Sequence, residues 1–240
     1  MFKSFMVGYG NWLFHYRDKA FPVVLVALFV GFRPHTLSAD ESSEHWLVVL
    51  GFAVATLGQS YRWLAIGLAY IKRGGLRKRV YAKDLVTDGL FGHVRNPLYG
   101  GNLLILAGLL ILHNSVGVYL LGGAFFGLAY QSIVAAEEHY LTQKFPAYPD
   151  YCRAVPRWWP CWSGLRETVS GMHFYWQRAL LRDAASGCMW VLAGLGILAL
   201  DAVRNGHAAS HGKPLWEALV ALLLTYATIL WLKKRGTLSL

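Results

Sequence analysis

Arg95, Asn96, Pro97 and Tyr99 stand together in HVRNPLYGGN, residues 93–102, at the mouth of a long apolar run. Asparagine before proline suits a helix start, with Asn96 as the N-cap and Pro97 as the first helical residue. A capped helix with Tyr99 as an interfacial aromatic would use these residues for structure alone. Arg95 asks for more. A helix N-terminus is already electropositive, so Arg95 beside free backbone N–H groups makes a place that favours an anion.

A second polar group follows in EEHYLTQKFPAYPDYCRAVPRWWP, residues 137–160. Glu137 and Glu138 are expected to end an apolar helix, where acidic side chains oppose the macrodipole and call for a cation. Snorkelling into the headgroup region, with Lys144 or Arg153 as neighbour, is the structural alternative. Consecutive residues on a helix point about 100° apart, so one glutamate can face a site while the other faces protein or water. Tyr148, Tyr151, Arg157, Trp158, Trp159 and Pro160 come next. A membrane belt accounts well for the two tryptophans. It accounts less well for two tyrosines, an arginine and a proline in ordered spacing behind a glutamate pair.

The elements that must hold these groups are membrane helices. Of the 240 residues 55% are hydrophobic and only 15% charged, with ten tryptophans; soluble domains carry roughly 25% charged residues. The net charge of +10 sits in blocks between apolar runs, not on one soluble face, which argues against nucleic acid as a partner. Runs long enough to approach a bilayer span fall at about 19–33, 46–71, 97–112, 115–136, 187–203 and 214–232. The third and fourth are joined only by HNS, residues 113–115, a tight helical hairpin. The fold class expected is therefore all-α and polytopic, with about six transmembrane helices. The run near 20–32 lacks a small-residue cleavage site and reads as a short first membrane helix.

Lysine and arginine mark cytoplasmic loops. With the N-terminus inside, the inner segments hold 19 of the 23 basic residues and the outer ones 3, with Arg62 inside a helix. The outer loop 33–45 is acidic. Both termini are therefore expected in the cytoplasm. The large segments 72–97 and 137–187 then meet at one membrane face, and 166–182 has the mixed aromatic and basic character of an interfacial helix. Cys152, Cys161 and Cys188 are too few for a disulfide framework or a closed zinc site. The histidines form no paired motif on one helix face, so no metal is expected.

The ordered set resembles the shared C-terminal signature of the isoprenylcysteine carboxyl methyltransferases and phospholipid N-methyltransferases. The residues carrying the resemblance are Arg95, Pro97, Tyr99, Gly101, Glu137, Glu138, Leu141, Phe145, Tyr148, Tyr151, Val155, Arg157 and Pro160, within about 85–160. Asn96 stands where that family has histidine, and Pro146 where it has glycine. The resemblance implies a division into an N-terminal hairpin with a basic loop (1–84), a methyltransferase core (85–160) and a C-terminal interfacial segment with a hairpin (161–240). It also implies S-adenosylmethionine bound at the cytoplasmic face by Arg95, Asn96, Pro97, Tyr99, Gly101, Glu137, Glu138, Tyr148, Tyr151 and Arg157. Glu138, Glu137 and Arg157 would be the catalytic groups.

That cofactor offers a carboxylate, an ammonium, a sulfonium and an adenine ring. Arginine suits the carboxylate, glutamate the ammonium or ribose, and tyrosine the adenine face or the sulfonium. The acceptor would be a lipidic or membrane-partitioned molecule, in a bacterial inner membrane. A nicotinamide-dependent membrane reductase and a non-catalytic scaffold or transporter subunit are the other classes compatible with the sequence. Gly194 and Gly196 lie in an apolar helix and are expected to serve packing.

Overall fold

The computed structural model describes residues 2–34, 41–69 and 78–236. Asp40 of the acidic loop and Lys72, Arg73 and Arg77 of the basic segment lie outside the described residues, as do the last two positions of the expected span 46–71. Among the described residues there are eight α-helices: α1 Phe2–Gly31, α2 Glu41–Leu68, α3 Pro97–His113, α4 Val116–Lys144, α5 Tyr148–Ala154, α6 Leu165–Gly171, α7 Trp176–Arg204 and α8 Ala208–Lys234. A single 3₁₀ turn, Gly89–Gly92, precedes α3.

Among the described residues four helical stretches are long and apolar enough to cross a membrane: Glu44–Leu68, Val116–Lys144, Trp176–Arg204 and Ala208–Lys234. The protein is thus an all-α polytopic membrane protein. About six spans were expected, and four stretches qualify among the described residues. With 17 residues, α3 is only about 25 Å long, short of the roughly 30 Å hydrocarbon core. The expected short first helix at 19–33 is instead the second half of a 30-residue α1, whose middle carries Arg17, Asp18 and Lys19.

In the helix packing α8 lies on α7, α7 on α2, α2 on α3, α3 on α4, and α4 on α1. Helices in lipid gain no hydrophobic drive from meeting each other, so close backbone approach through small residues matters. Gly51 and Gly58 of α2 face Gly108 and Gly101 of α3 in antiparallel register. A Cβ on Gly58 would lie 2.6 Å from the Gly101 carbonyl oxygen, and one on Gly101 2.8 Å from that of Gly58. The hairpin expected at HNS is present: Asn114 closes α3 in the left-handed region, φ 48°, and α4 begins two residues later. The imidazole of His113 beneath it lies 3.2 Å from the Phe29 carbonyl.

Gly194 is buried, and a Cβ there would sit 3.1 Å from the Phe52 ring, while Gly196 faces open space. The packing reason therefore holds for Gly194 alone. The expected interfacial segment 166–182 is divided. The short α6 has no buried residue, whereas 176–182 is the first turns of α7. There Arg178 donates to the Ile66 and Gly67 carbonyls at 2.8 and 2.6 Å, closing the C-terminal end of α2; a basic side chain at that pole complements the macrodipole.

These contacts gather the described basic segments at one end of the bundle. The opposite end is marked by Arg204 of α7 on the carbonyls of Val30 and Phe32.

Candidate active site at the basic end of the bundle

The residues after α4 fold back on those before α3 through backbone first. The Arg95 N–H donates to the Pro156 carbonyl at 2.9 Å, and the Cys161 N–H to the His93 carbonyl at 2.9 Å. Asn96 does occupy the N-cap position and Pro97 starts the helix, but the Asn96 side chain makes no capping bond. Its amide donates instead to the Arg157 carbonyl at 3.1 Å. Tyr151 adds a fourth tie, donating to the Phe91 carbonyl at 2.6 Å. Pro97 and Tyr148 are buried under this seam.

The two glutamates are not at a helix end. α4 continues to Lys144, and its length of about 43 Å exceeds a bilayer core. Glu137 is thus roughly 30 Å from the start of α4, close to the membrane surface. Being 100° apart, the pair takes separate partners. Glu138 lies between two guanidinium groups: Arg95 Nη1 is 3.0 Å from Oε1, and Arg157 meets both oxygens, with its Nε 3.0 Å from Oε1. Glu137 accepts from the Tyr99 hydroxyl at 2.5 Å, and Tyr99 in turn accepts from Arg17 of α1 at 3.1 Å. The neighbours expected from sequence are elsewhere. Lys144 reaches the Ala82 carbonyl and Arg153 pairs with Asp150.

Two guanidinium groups on one carboxylate leave an excess positive charge. The Arg95 Nε and the Trp158 Nε1 are buried with no hydrogen-bond partner among the described residues, so donors remain for a ligand. Burial would lower the Arg95 pKa, but Glu138, foremost among its neighbours, reverses this and holds it above the ordinary value. Burial pushes Tyr148 up, and Glu138 adds to that. It also pushes Tyr151 up, against the pull of Arg95. Both phenols therefore stay protonated as hydroxyl donors. Their rings stand 5.9 Å apart.

Gly101 belongs to the α2–α3 seam, where a Cβ would meet Arg62 Cγ at 2.5 Å. Arg17 and Cys152 were missed by sequence reasoning. Cys152, which accepts from Arg95 at 2.7 Å, lies within the motif and could have been found by its spacing from Tyr148. Arg17 carried no local signal, since it lies just before the first expected span at 19–33. Among the described residues no three of His, Cys, Asp and Glu gather as a metal-holding group.

This geometry defines a helical membrane protein whose charged, donor-rich site lies where two interfacial segments close over the ends of a helical hairpin. Residues 46–147 match the model of the phospholipid methyltransferase family. The match takes in Arg95, Asn96, Pro97, Tyr99, Gly101 and both glutamates, while Tyr148, Tyr151 and Arg157 lie just beyond it.

The chain is 28% identical over 138 residues to the nickel-cobalt-cadmium resistance protein NccN of Alcaligenes xylosoxydans xylosoxydans, covering 58% of this chain and 60% of that protein. It is 31% identical over 114 residues to the cobalt-zinc-cadmium resistance protein CzcN of Cupriavidus metallidurans, covering 48% of each. In both cases the match spans less than two thirds of the relative. No solved structure matches the chain.

Proposed function

We propose that the protein transfers a methyl group from S-adenosylmethionine to a lipidic or membrane-partitioned acceptor. The observation that carries this is the pairing of Arg95 and Arg157 on Glu138, which joins the two motif segments and leaves positive charge and a free Arg95 Nε. Such a donor set fits the cofactor's carboxylate. Tyr148 and Tyr151, held neutral, suit packing against adenine. Glu137 is the group available to take a proton from an amine acceptor; a carboxylate acceptor would need none. S-adenosylmethionine, when bound, supplies an already activated methyl. The chain then has to align the acceptor and exclude water, and alignment alone is worth up to about 7–11 kcal/mol. Asn96, Arg95 and Arg157 make the frame for that alignment, because each ties the α3 entrance to the segment after α4.

In this reading residues 85–160 are the methyltransferase core, flanked by 1–84 and 161–240. Both termini face the cytoplasm of a bacterial inner membrane, as the distribution of basic residues supports. Metal resistance, named for the two relatives, would here follow from a methylated membrane component.

The test is purified protein with methyl-labelled S-adenosylmethionine and a lipid extract. Label is expected in the organic phase, and S-adenosylhomocysteine is expected to bind by calorimetry. Stabilisation by NADPH and not by S-adenosylhomocysteine would replace the proposal with the reductase reading. Unchanged cofactor affinity in Glu138→Gln, Tyr99→Phe and Arg157→Ala would point to a non-catalytic role.

A further inference from the structure

A second polar concavity lies on the other side of α4. It encloses about 520 Å³ and is walled by Trp12 and His15 of α1, Lys78 and Arg79, and His139 and Tyr140 of α4. Ala136, His139, Tyr140 and Gln143 line it from α4, a stripe at three- and four-residue spacing. Glu138 is two residues from Ala136, about 200° round the helix, so the pocket and the arginine–glutamate cluster occupy opposite faces. Among the described residues no acidic side chain lines the pocket. Neither Lys78 nor Arg79 forms an ion pair with an acidic group among the described residues. Gln143 Nε2 lies 3.1 Å from His139 Nε2, which anchors that imidazole on the pocket wall.

Trp12 of the pocket wall belongs to a ladder of aromatic rings on α1. Phe5, Tyr9, Trp12 and Tyr16 follow one another with centroids 6.0, 6.0 and 5.4 Å apart. Trp12 is 53% exposed and Tyr16 46%. Amphipathic rings of this kind settle at the headgroup level of a membrane. Unpaired lysine and arginine there attract anionic lipid.

We propose that this pocket binds the phosphate-bearing headgroup of an anionic membrane phospholipid, separately from methyl transfer. Lys78 and Arg79 take the phosphate, His15 and His139 offer ring N–H donors to the remaining oxygens, and Trp12 rests on the glycerol region. A lipid held there also bridges α1, the segment at 78–80 and α4. The aromatic ladder favours a lipid over a soluble phosphate compound, which would have no use for it. The proposal does not rest on the methyltransferase reading.

The test is calorimetric titration of the full chain, purified in a neutral detergent, with dihexanoyl-phosphatidylglycerol, dihexanoyl-phosphatidylcholine and inorganic phosphate. Phosphatidylglycerol is expected to bind at least tenfold tighter than phosphatidylcholine. The double variant Lys78→Gln/Arg79→Gln should lose at least tenfold of that affinity, while Lys19→Gln/Arg153→Gln loses none. S-adenosylhomocysteine affinity should be the same in all three proteins. Equal affinity for the two lipids, or an unaffected Lys78→Gln/Arg79→Gln variant, overturns the proposal. Inorganic phosphate binding as tightly as phosphatidylglycerol overturns the lipid assignment. A parallel loss of S-adenosylhomocysteine binding in the double variant overturns the separation of the two sites. Failure of the wild-type chain to bind S-adenosylhomocysteine sinks the methyltransferase reading and leaves this one standing.

Discussion

Two arginine–carboxylate clusters sit in this bundle, and they are built to opposite ends. In the first, Arg62 of α2 is directed wholly into protein. It meets both oxygens of Asp183 on α7, with the Nε at 2.9 Å, and reaches Asn102 and Ser186 as well. Gln59 adds a donor to Asp183 at 2.8 Å and accepts from Trp190 at 3.2 Å. Both charged side chains are buried. In the second, Glu138 stands between two arginines, Arg157 is 39% exposed, and Arg95 keeps a donor without a partner among the described residues. The first cluster is neutral and closed; the second is net positive and open. A charge pair deep among membrane helices holds only when its hydrogen bonds are complete. Donors left over at the membrane surface are what a ligand can use.

Single substitutions can break that contrast. The largest effect is expected in the closed cluster. Asp183→Leu leaves Arg62 buried without its counter-ion and should cost about 3–5 kcal/mol of stability, read as a fall in thermal midpoint in detergent. Arg62→Met/Asp183→Leu should recover most of it. A single variant as stable as wild type would show that α7 is held by other contacts. In the open cluster, Arg157→Ala should leave the thermal midpoint almost unmoved. It should weaken S-adenosylhomocysteine binding by about 10–100-fold, the worth of a hydrogen bond to a charged group. A large loss of stability with no change in affinity would reverse the roles of the two clusters.

Tyr99→Phe should have a smaller effect, on activity more than on fold. It removes the hydroxyl that joins Glu137 to Arg17, a contact worth about 1 kcal/mol, or roughly fivefold in kcat. The smallest change is expected for Asn96→His, which restores the residue of the family signature and keeps a donor toward the Arg157 carbonyl. Its activity should stay within about twofold of wild type, and Asn96→Ala should fall below both.

Much of this arrangement was legible in the sequence. The hairpin at HNS, the long apolar helices α4, α7 and α8, and the meeting of 93–102 with 137–160 all followed from residue type and spacing. The signature residues are close together because α3 and α4 between them form a hairpin, which the short HNS break in a long apolar run required. Other features were hidden. The first half of α1 lies outside every span expected from the sequence, yet it supplies Arg17 to Tyr99 and so completes the surroundings of Glu137. Arg62 showed only as a charge in a helix, and nothing near it pointed to Asp183, 121 residues away. Segment 166–182 has the composition of an interfacial helix throughout, but Arg178 turns its second half into the start of a spanning helix by capping α2.

The sequence alone determined that the chain is helical, that it belongs in a membrane and that its polar motifs share one end, because apolar length and charge placement act locally. Only the tertiary structure decided which carboxylate meets which arginine. Helix rotation fixes that choice, 100° per residue, and rotation is set by close packing at Gly58–Gly101 and along α1 and α4, where residues distant in the chain must fit each other.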